Sequence, residues 1–186
     1  MKRNTLFFIL LAVIWTVQAC NTNKSSKDHS GIDDHAHSDA SAIDDDISDF
    51  IMKAASGGMM EVQLGEMAKL NSRSEGVKNF GIMMVKDHSK ANTELQKLAS
   101  EKNIILPAVP NEDHQKHINE LTPLRGAEFD EKYMALMLHD HKEDIDLFEK
   151  AAENSDPDVS AFASATLPVL KKHWEAARKI EMNLTM

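Results

Sequence analysis

A chain of 186 residues of which 42% are hydrophobic is long enough for one domain with a real core. A net charge of −9 and an isoelectric point near 5.4 leave no basic surface for a phosphate backbone, which argues against nucleic acid as a partner. Only 5% of the residues are aromatic, and Met, Leu, Ala, Glu and Lys fill the periodic stretches, so helix is expected and almost no strand.

Residues 1–19 read as a lipoprotein signal peptide. Lys2 and Arg3 form a positive start, and Leu6 to Val17 form an apolar stretch too short to span a bilayer comfortably. Val17-Gln18-Ala19-Cys20 has the form of a lipobox, with Cys20 as the lipidation site and mature N-terminus; Gln18 is an unusual second position, and a plain signal peptide is the simpler reading. No Asp follows Cys20, which favours the outer membrane where sorting depends on that residue. The expected address is the cell envelope, with the membrane reached through an N-terminal lipid. Cys20 is the only cysteine, so an internal disulfide is excluded.

Residues 20–46 read as the lipidated cysteine followed by a disordered tether. From Asn21 to Asp46 the chain is rich in Ser, Asp and His and poor in large apolar residues, so it buries too little to fold alone. His29, Asp33, Asp34, His35, His37 and Asp39 could bind a divalent metal loosely, although a solvated acidic linker is the plainer interpretation.

Residues 47–186 form the expected folded domain. A first helix is predicted from a Ser48 cap to Asn71, with Ile47, Ile51, Ala54, Gly58, Leu64, Gly65 and Ala68 on one face and Glu61 among them. Gly57 and Gly58 would allow a neighbouring backbone close. A second helix, from Ser74 or Glu75 to Lys102, places His88 at the centre of a stripe of Val77, Phe80, Met84, Ala91, Leu95 and Leu98. The two should pair as an antiparallel hairpin. Asn103 to Gly126 is a long connection, broken by Pro107, Pro110, Pro123 and Gly126, with a short helix at Asn111 to Leu121.

A third long helix is predicted from Ala127 to Glu153. Phe129, Tyr133, Met137, Phe148 and Ala151 face inward with Asp130, His141 and Asp144, while His139 faces out. The Asn154 to Asp158 turn caps a fourth helix that runs to Met182. Its stripe of Phe162, Thr166, Val169, Ala177 and Ile180 has His173 at its centre, and Pro168 predicts a kink or a break. Met59, Met67, Met84, Met134 and Met137 read as adaptable core filler. Two hairpins joined by a long connection predict an all-α, ferritin-like four-helix bundle with a short extra helix between the second and third long helices.

Each long helix therefore directs one potential ligand inward: Glu61, His88, His141 and His173. Three imidazoles and a carboxylate suit one divalent first-row transition metal, with Asp87, Asp130, Tyr133 and Asp144 as partners that fix imidazole orientation. The same groups could instead form a metal-free buried network. A di-iron carboxylate centre is disfavoured, because Val85 and Leu170 stand where each histidine-bearing helix would carry a Glu three residues before its His. No nucleophile arrangement and no phosphate-cradling glycine loop is present.

GGMMEVQLGEMA around Glu61, FGIMMVKDHSKAN around His88, FDEKYMALMLHDHKEDIDLFEKAA around Asp130 and His141, and LPVLKKHWEAAR around His173 resemble the bacterial domain of unknown function 4142 family over Phe50 to Lys179. The resemblance implies a ferritin-like bundle on a secreted or lipid-anchored protein, matches the family pattern at Glu61, His88, Asp130, Tyr133, His141 and His173, and carries no reaction with it. The leading expectation is a lipid-anchored, metal-binding envelope protein, non-enzymatic or weakly redox-linked, serving metal handling or envelope stress. The rivals are a metal-free structural or interaction module of the envelope, and an enzyme with an open metal position. No protein partner is indicated.

Overall fold

The computed structural model describes residues 34–184, with side chains described from Asp45 onward. The signal peptide, Cys20 and the tether as far as residue 33 lie outside the described residues. Five helices follow in order: α1 (Asp34–Asn71), α2 (Glu75–Glu101), α3 (Glu112–Leu121), α4 (Gly126–Ala152) and α5 (Pro157–Leu184). No strand occurs among the described residues. The architecture is an all-α bundle of four long helices with the short α3 in the long connection, as the periodicity indicates.

Two boundaries differ from those read in the sequence. Helix α1 starts at Asp34, well before Ser48, so its first turns run through the expected tether. Acidic residues are favourable at a helix start, and this stretch grows directly out of the turn that buries Ile47, Phe50 and Ile51, so it need not nucleate alone. Helix α5 passes unbroken through Pro168. Pro168 and Ser164, whose carbonyl loses its usual donor, are both exposed, so water can supply the missing partner.

Helix α1 packs on α2 and α4, and α5 packs on α2 and α4. One apolar cluster joins the start of α1 (Ile47, Phe50, Ile51), the end of α2 (Leu95, Leu98), the end of α4 (Phe148, Ala151) and the start of α5 (Val159, Ala163). The other joins Met60, Leu64 and Ala68 to Val77, Phe80 and Met84, to Phe129, Tyr133, Met134 and Met137, and to Ala177. Every neighbouring pair is therefore antiparallel and the diagonal pairs are parallel. The α2–α4 connection must then travel the whole length of the bundle, a span of roughly 40 Å for 27-residue helices. Helix α3 rides on that crossover against α1 and α4.

Local bonds fix the ends. Ser74 caps α2, and its backbone N–H donates to Asp130 Oδ2 at 3.2 Å, tying α4 to the first hairpin turn. Asp156 caps α5 and pairs with Lys102, which joins the far end of the crossover to the second turn. The close helix crossing expected at Gly57 and Gly58 falls elsewhere. A Cβ on Gly65 would lie 2.8 Å from the Gly81 carbonyl, and one on Gly81 2.7 Å from the Gly65 carbonyl, so α1 and α2 meet backbone to backbone there. Gly58 faces the Asn92 side chain, and Gly57 has ordinary space around it.

Candidate metal centre at the waist of the bundle

The two apolar clusters are separated by a polar layer. Glu61 from α1, His88 from α2, His141 from α4 and His173 from α5 all lie in it, and all are buried. Each occupies the apolar stripe of its helix, so the same period that packs the core drives these groups into it. The two hairpins place their pairs at one level: ring centroids are 5.5 Å apart for His88 and His141, 5.2 Å for His88 and His173, and 5.4 Å for His141 and His173.

The partners set the tautomers. His173 Nε2 donates to Asp87 Oδ2 at 3.0 Å, which leaves Nδ1 as a lone pair. His141 Nδ1 donates to the Met137 carbonyl at 3.0 Å, which leaves Nε2 as a lone pair. These two lone-pair nitrogens face each other across 3.4 Å. Two acceptors at that distance need a proton or a cation between them. His88 turns Nδ1 to Glu61 Oε2 at 2.7 Å, and His88 Nε2 is buried with no hydrogen bond. One nitrogen from each ring lies within 4.8 Å of the others.

Glu61 stands beside this group, with Oε1 3.2 Å from His141 Nδ1. Both contacts of Glu61 are within ion-pair reach but off the N–H directions, so neither oxygen is hydrogen-bonded among the described residues. Burial pushes the Glu61 carboxyl well above its ordinary range. Burial also holds His88 and His173 down at about 4, against the opposing pull of Asp140 and Asp87 on His88 and of Asp87 on His173. His141 is lowered by burial and then by the two neighbouring imidazoles. The rings are thus neutral at neutral pH, the form that binds a metal. A cavity of about 20 Å³ touches Glu61, His88 and Asp144, room for one water or one ion.

The structure distributes the proposed orienting groups differently from one another. Asp87 holds His173, as described. Asp130 instead bonds the Ser74 amide at the hairpin turn, away from the imidazoles, because it lies about three turns before His141 on α4. Tyr133 is packed between Phe80 and Phe129 with an unpaired hydroxyl, and its phenol is pushed up by burial and then by the charge of Glu61. Asp144 joins Glu61 and a residue that the sequence reading omitted, Asp140, in a group of three carboxylates with one oxygen each within 4.8 Å. Asp140 follows Met137 by three and precedes Asp144 by four, so helical spacing already places it at the edge of the inward stripe. Burial, and then Glu61, lift it to about 8. His139 is exposed and pairs with Glu143, as its outward position implies. Met60, Met84, Met134 and Met137 sit in the apolar cluster, and Met59 and Met67 are partly buried.

The family model described as domain of unknown function (DUF4142) matches residues 33–180. The chain belongs to this family. The DUF4142 match spans all four long helices and every residue of the waist. The fold is also similar to the crystal structure of a DUF305 fragment from Deinococcus radiodurans, with a TM-score of 0.64 and 11% sequence identity over 75% of this chain and 95% of that one. At that identity the likeness shows that the DUF4142 bundle shares its architecture and nothing further. A comparison with curated proteins finds no match.

Proposed function

We propose that this DUF4142 domain is a metal-binding bundle that holds one divalent first-row transition ion between His88, His141 and His173. The observation that carries the reading is the meeting of three buried, neutral imidazoles whose remaining lone pairs have no donor to accept from. Nitrogen donors suit Zn, Cu or Co over Mg or Ca. Asp87 and the Met137 carbonyl fix two of the rings from behind, as the partners of metal-bound imidazoles do. Glu61 lies on the Nδ1 sides of His88 and His141 and offsets the charge of the ion. The small cavity beside His88 and Glu61 admits a water or an ion.

No helix among the described residues is long and apolar enough to cross a membrane. We place the domain in the cell envelope, tethered by a lipid on Cys20; the basic start, the short apolar stretch and the lipobox support that address. Its role there is to hold or hand on a transition metal. Cys20→Ser should move the protein from the membrane to the soluble fraction, and unchanged partition would remove the lipid.

The metal reading is tested on the full chain with His29, His35 and His37 replaced by Ala, so that the N-terminal histidines do not contribute. About one equivalent of Co²⁺ or Zn²⁺ should bind, with the visible bands of nitrogen-ligated Co²⁺, and a His88→Ala, His173→Ala variant should lose it. Equal binding by parent and variant would refute the site.

A further inference from the structure

Beside the imidazoles, the waist holds a second group with different chemistry. Glu61 and Asp140 are more than nine-tenths buried, Asp144 is half-buried, and an oxygen from each lies within 4.8 Å of the others. Three carboxylates that close repel one another strongly in a low-dielectric interior unless protons or a cation neutralise them. The nearest bases are His88 Nδ1, 2.7 Å from Glu61 Oε2, and His141 Nδ1, 3.2 Å from Oε1, and as neutral rings they do not offset the charge. Both oxygens of Glu61 and Oδ2 of Asp140 are buried without a hydrogen bond among the described residues, three unpaired acceptors in one small space. Native interiors rarely leave such atoms without a partner or a bound species.

The group also has a way out. Asp140 and Asp144 form part of the wall of a cavity of about 360 Å³ between α1, α3 and α4, whose lining also includes Asp113, His114, His117, His139, Glu143 and Lys53, the last paired with Asp49. Helix α3 is held at that mouth by His114 Nδ1, 2.7 Å from Ser56 Oγ, and by the Asn111 amide, which donates to the same oxygen at 2.8 Å. Gly57 lies between the mouth and the interior. A Cβ there would be 3.7 Å from Asp144 and 3.8 Å from His114, so the bare backbone leaves room along this line. The imidazole group adjoins this one, since His88 meets the same small cavity as Glu61 and Asp144.

We propose that Glu61, Asp140 and Asp144 form a second, all-oxygen cation site that takes a hard, partly hydrated divalent ion of the Mn²⁺ kind from the α1–α3–α4 cavity. Carboxylate oxygens alone select hard cations. Three protein groups leave coordination positions for water, which the open side of the cavity supplies. The waist then holds two adjacent positions, one nitrogen-lined and one oxygen-lined, with Glu61 between them. The two positions have no ligand in common, so substitution can separate them.

The probe is Mn²⁺ itself, titrated into the full chain carrying Ala at His29, His35 and His37, with free Mn²⁺ read by electron paramagnetic resonance. One tight equivalent is expected in this parent and in the His88→Ala, His173→Ala variant. Asp140→Asn with Asp144→Asn should bind Mn²⁺ at least tenfold more weakly while keeping its Co²⁺ bands. Asn preserves size and removes repulsion, so loss of fold is not at issue, and circular dichroism verifies this; Asp140→Asn alone gives a second reading. Mn²⁺ affinity unchanged in both Asn variants overturns the proposal, as does the absence of any tight Mn²⁺ in the parent. Loss of Co²⁺ binding everywhere, with Mn²⁺ binding still dependent on Asp140 and Asp144, would remove the imidazole site and leave this one standing.

Discussion

Asp140 and His88 respond to pH in opposite directions, and each sign follows from what burial does to charge. Asp140 titrates near 8 in the folded chain and near 3.8 when unfolded, so the folded form holds the extra proton between those values and loses stability as pH rises through them. His88 and His173 titrate at about 4 when folded and 6.5 when unfolded, so their penalty appears as pH falls below 6.5. Above pH 6.5 the imidazoles no longer contribute a slope while Asp140, with Glu61 and Asp144 raised in the same sense, still does, so the metal-free chain should lose stability from pH 6.5 to 8. Urea midpoints at pH 5, 6.5 and 8 give the profile, and Asp140→Asn should flatten its alkaline arm; an alkaline loss unchanged in that variant would assign it to other groups. Glu61, Asp144, Glu143 and His139 also act on Asp140 or share its environment, so the arm need not vanish. The inward position of Glu61, His88, His141 and His173 was legible in the sequence because each sits mid-stripe. Asp140 was not, since it stands about 60° from Met137 at the stripe's edge, where inward and outward are decided by the neighbouring helix. Asp130 was misplaced for a related reason: its face was right, but its height on α4 put it at the hairpin turn, a distance that periodicity alone does not weigh.

At the scale of helices, the packing of α1 on α2 rests on two glycines and not on the pair that the sequence suggests. A methyl on Gly81 would lie 2.7 Å from both the Gly65 carbonyl and the Ala68 Cβ, neither of which is a flexible side-chain end. Gly81→Ala should cost about 1–3 kcal/mol through overpacking. Gly57→Ala meets only ordinary contacts and replaces the poorest non-proline helix former, so it should stabilise by about 0.5–1 kcal/mol. Chemical denaturation of the two variants decides this, and equal effects would mean that α1 and α2 do not cross where described. Sequence marks all these glycines as weak helix formers, but only the register between two helices tells which of them faces a backbone. The same limit applies to the start of α1. Composition reads Asp34 to Asp46 as too polar to fold alone, yet a helix can extend from a turn already anchored by Ile47, Phe50 and Ile51.

For the molecule as a whole, the waist is costly to folding in the absence of an ion. Replacing a buried charged or polar group set by apolar residues of similar size is often neutral or stabilising, by about 1–4 kcal/mol. Leu at positions 61, 88, 141 and 173 together should thus give a metal-free bundle at least as stable as the metal-free parent, and unable to bind Co²⁺. A large loss of stability would show instead that the polar network holds the core together. Saturating metal should stabilise the parent alone, by about 2.7 kcal/mol at a hundred times the dissociation constant. The alternation of apolar cluster, polar layer and apolar cluster also bears on cooperativity. The two apolar clusters lie on opposite sides of the layer, so the half nearer the α1–α2 turn and the half nearer the α4–α5 turn communicate mainly along the helices themselves. Without an ion, the two halves can open one at a time, and amide hydrogen exchange should resolve them as separate units. An ion bound to three helices at once would join them into a single one, so that occupancy is reported at both ends of the bundle, including at the end where α1 runs out beyond Ile47 toward Asp34.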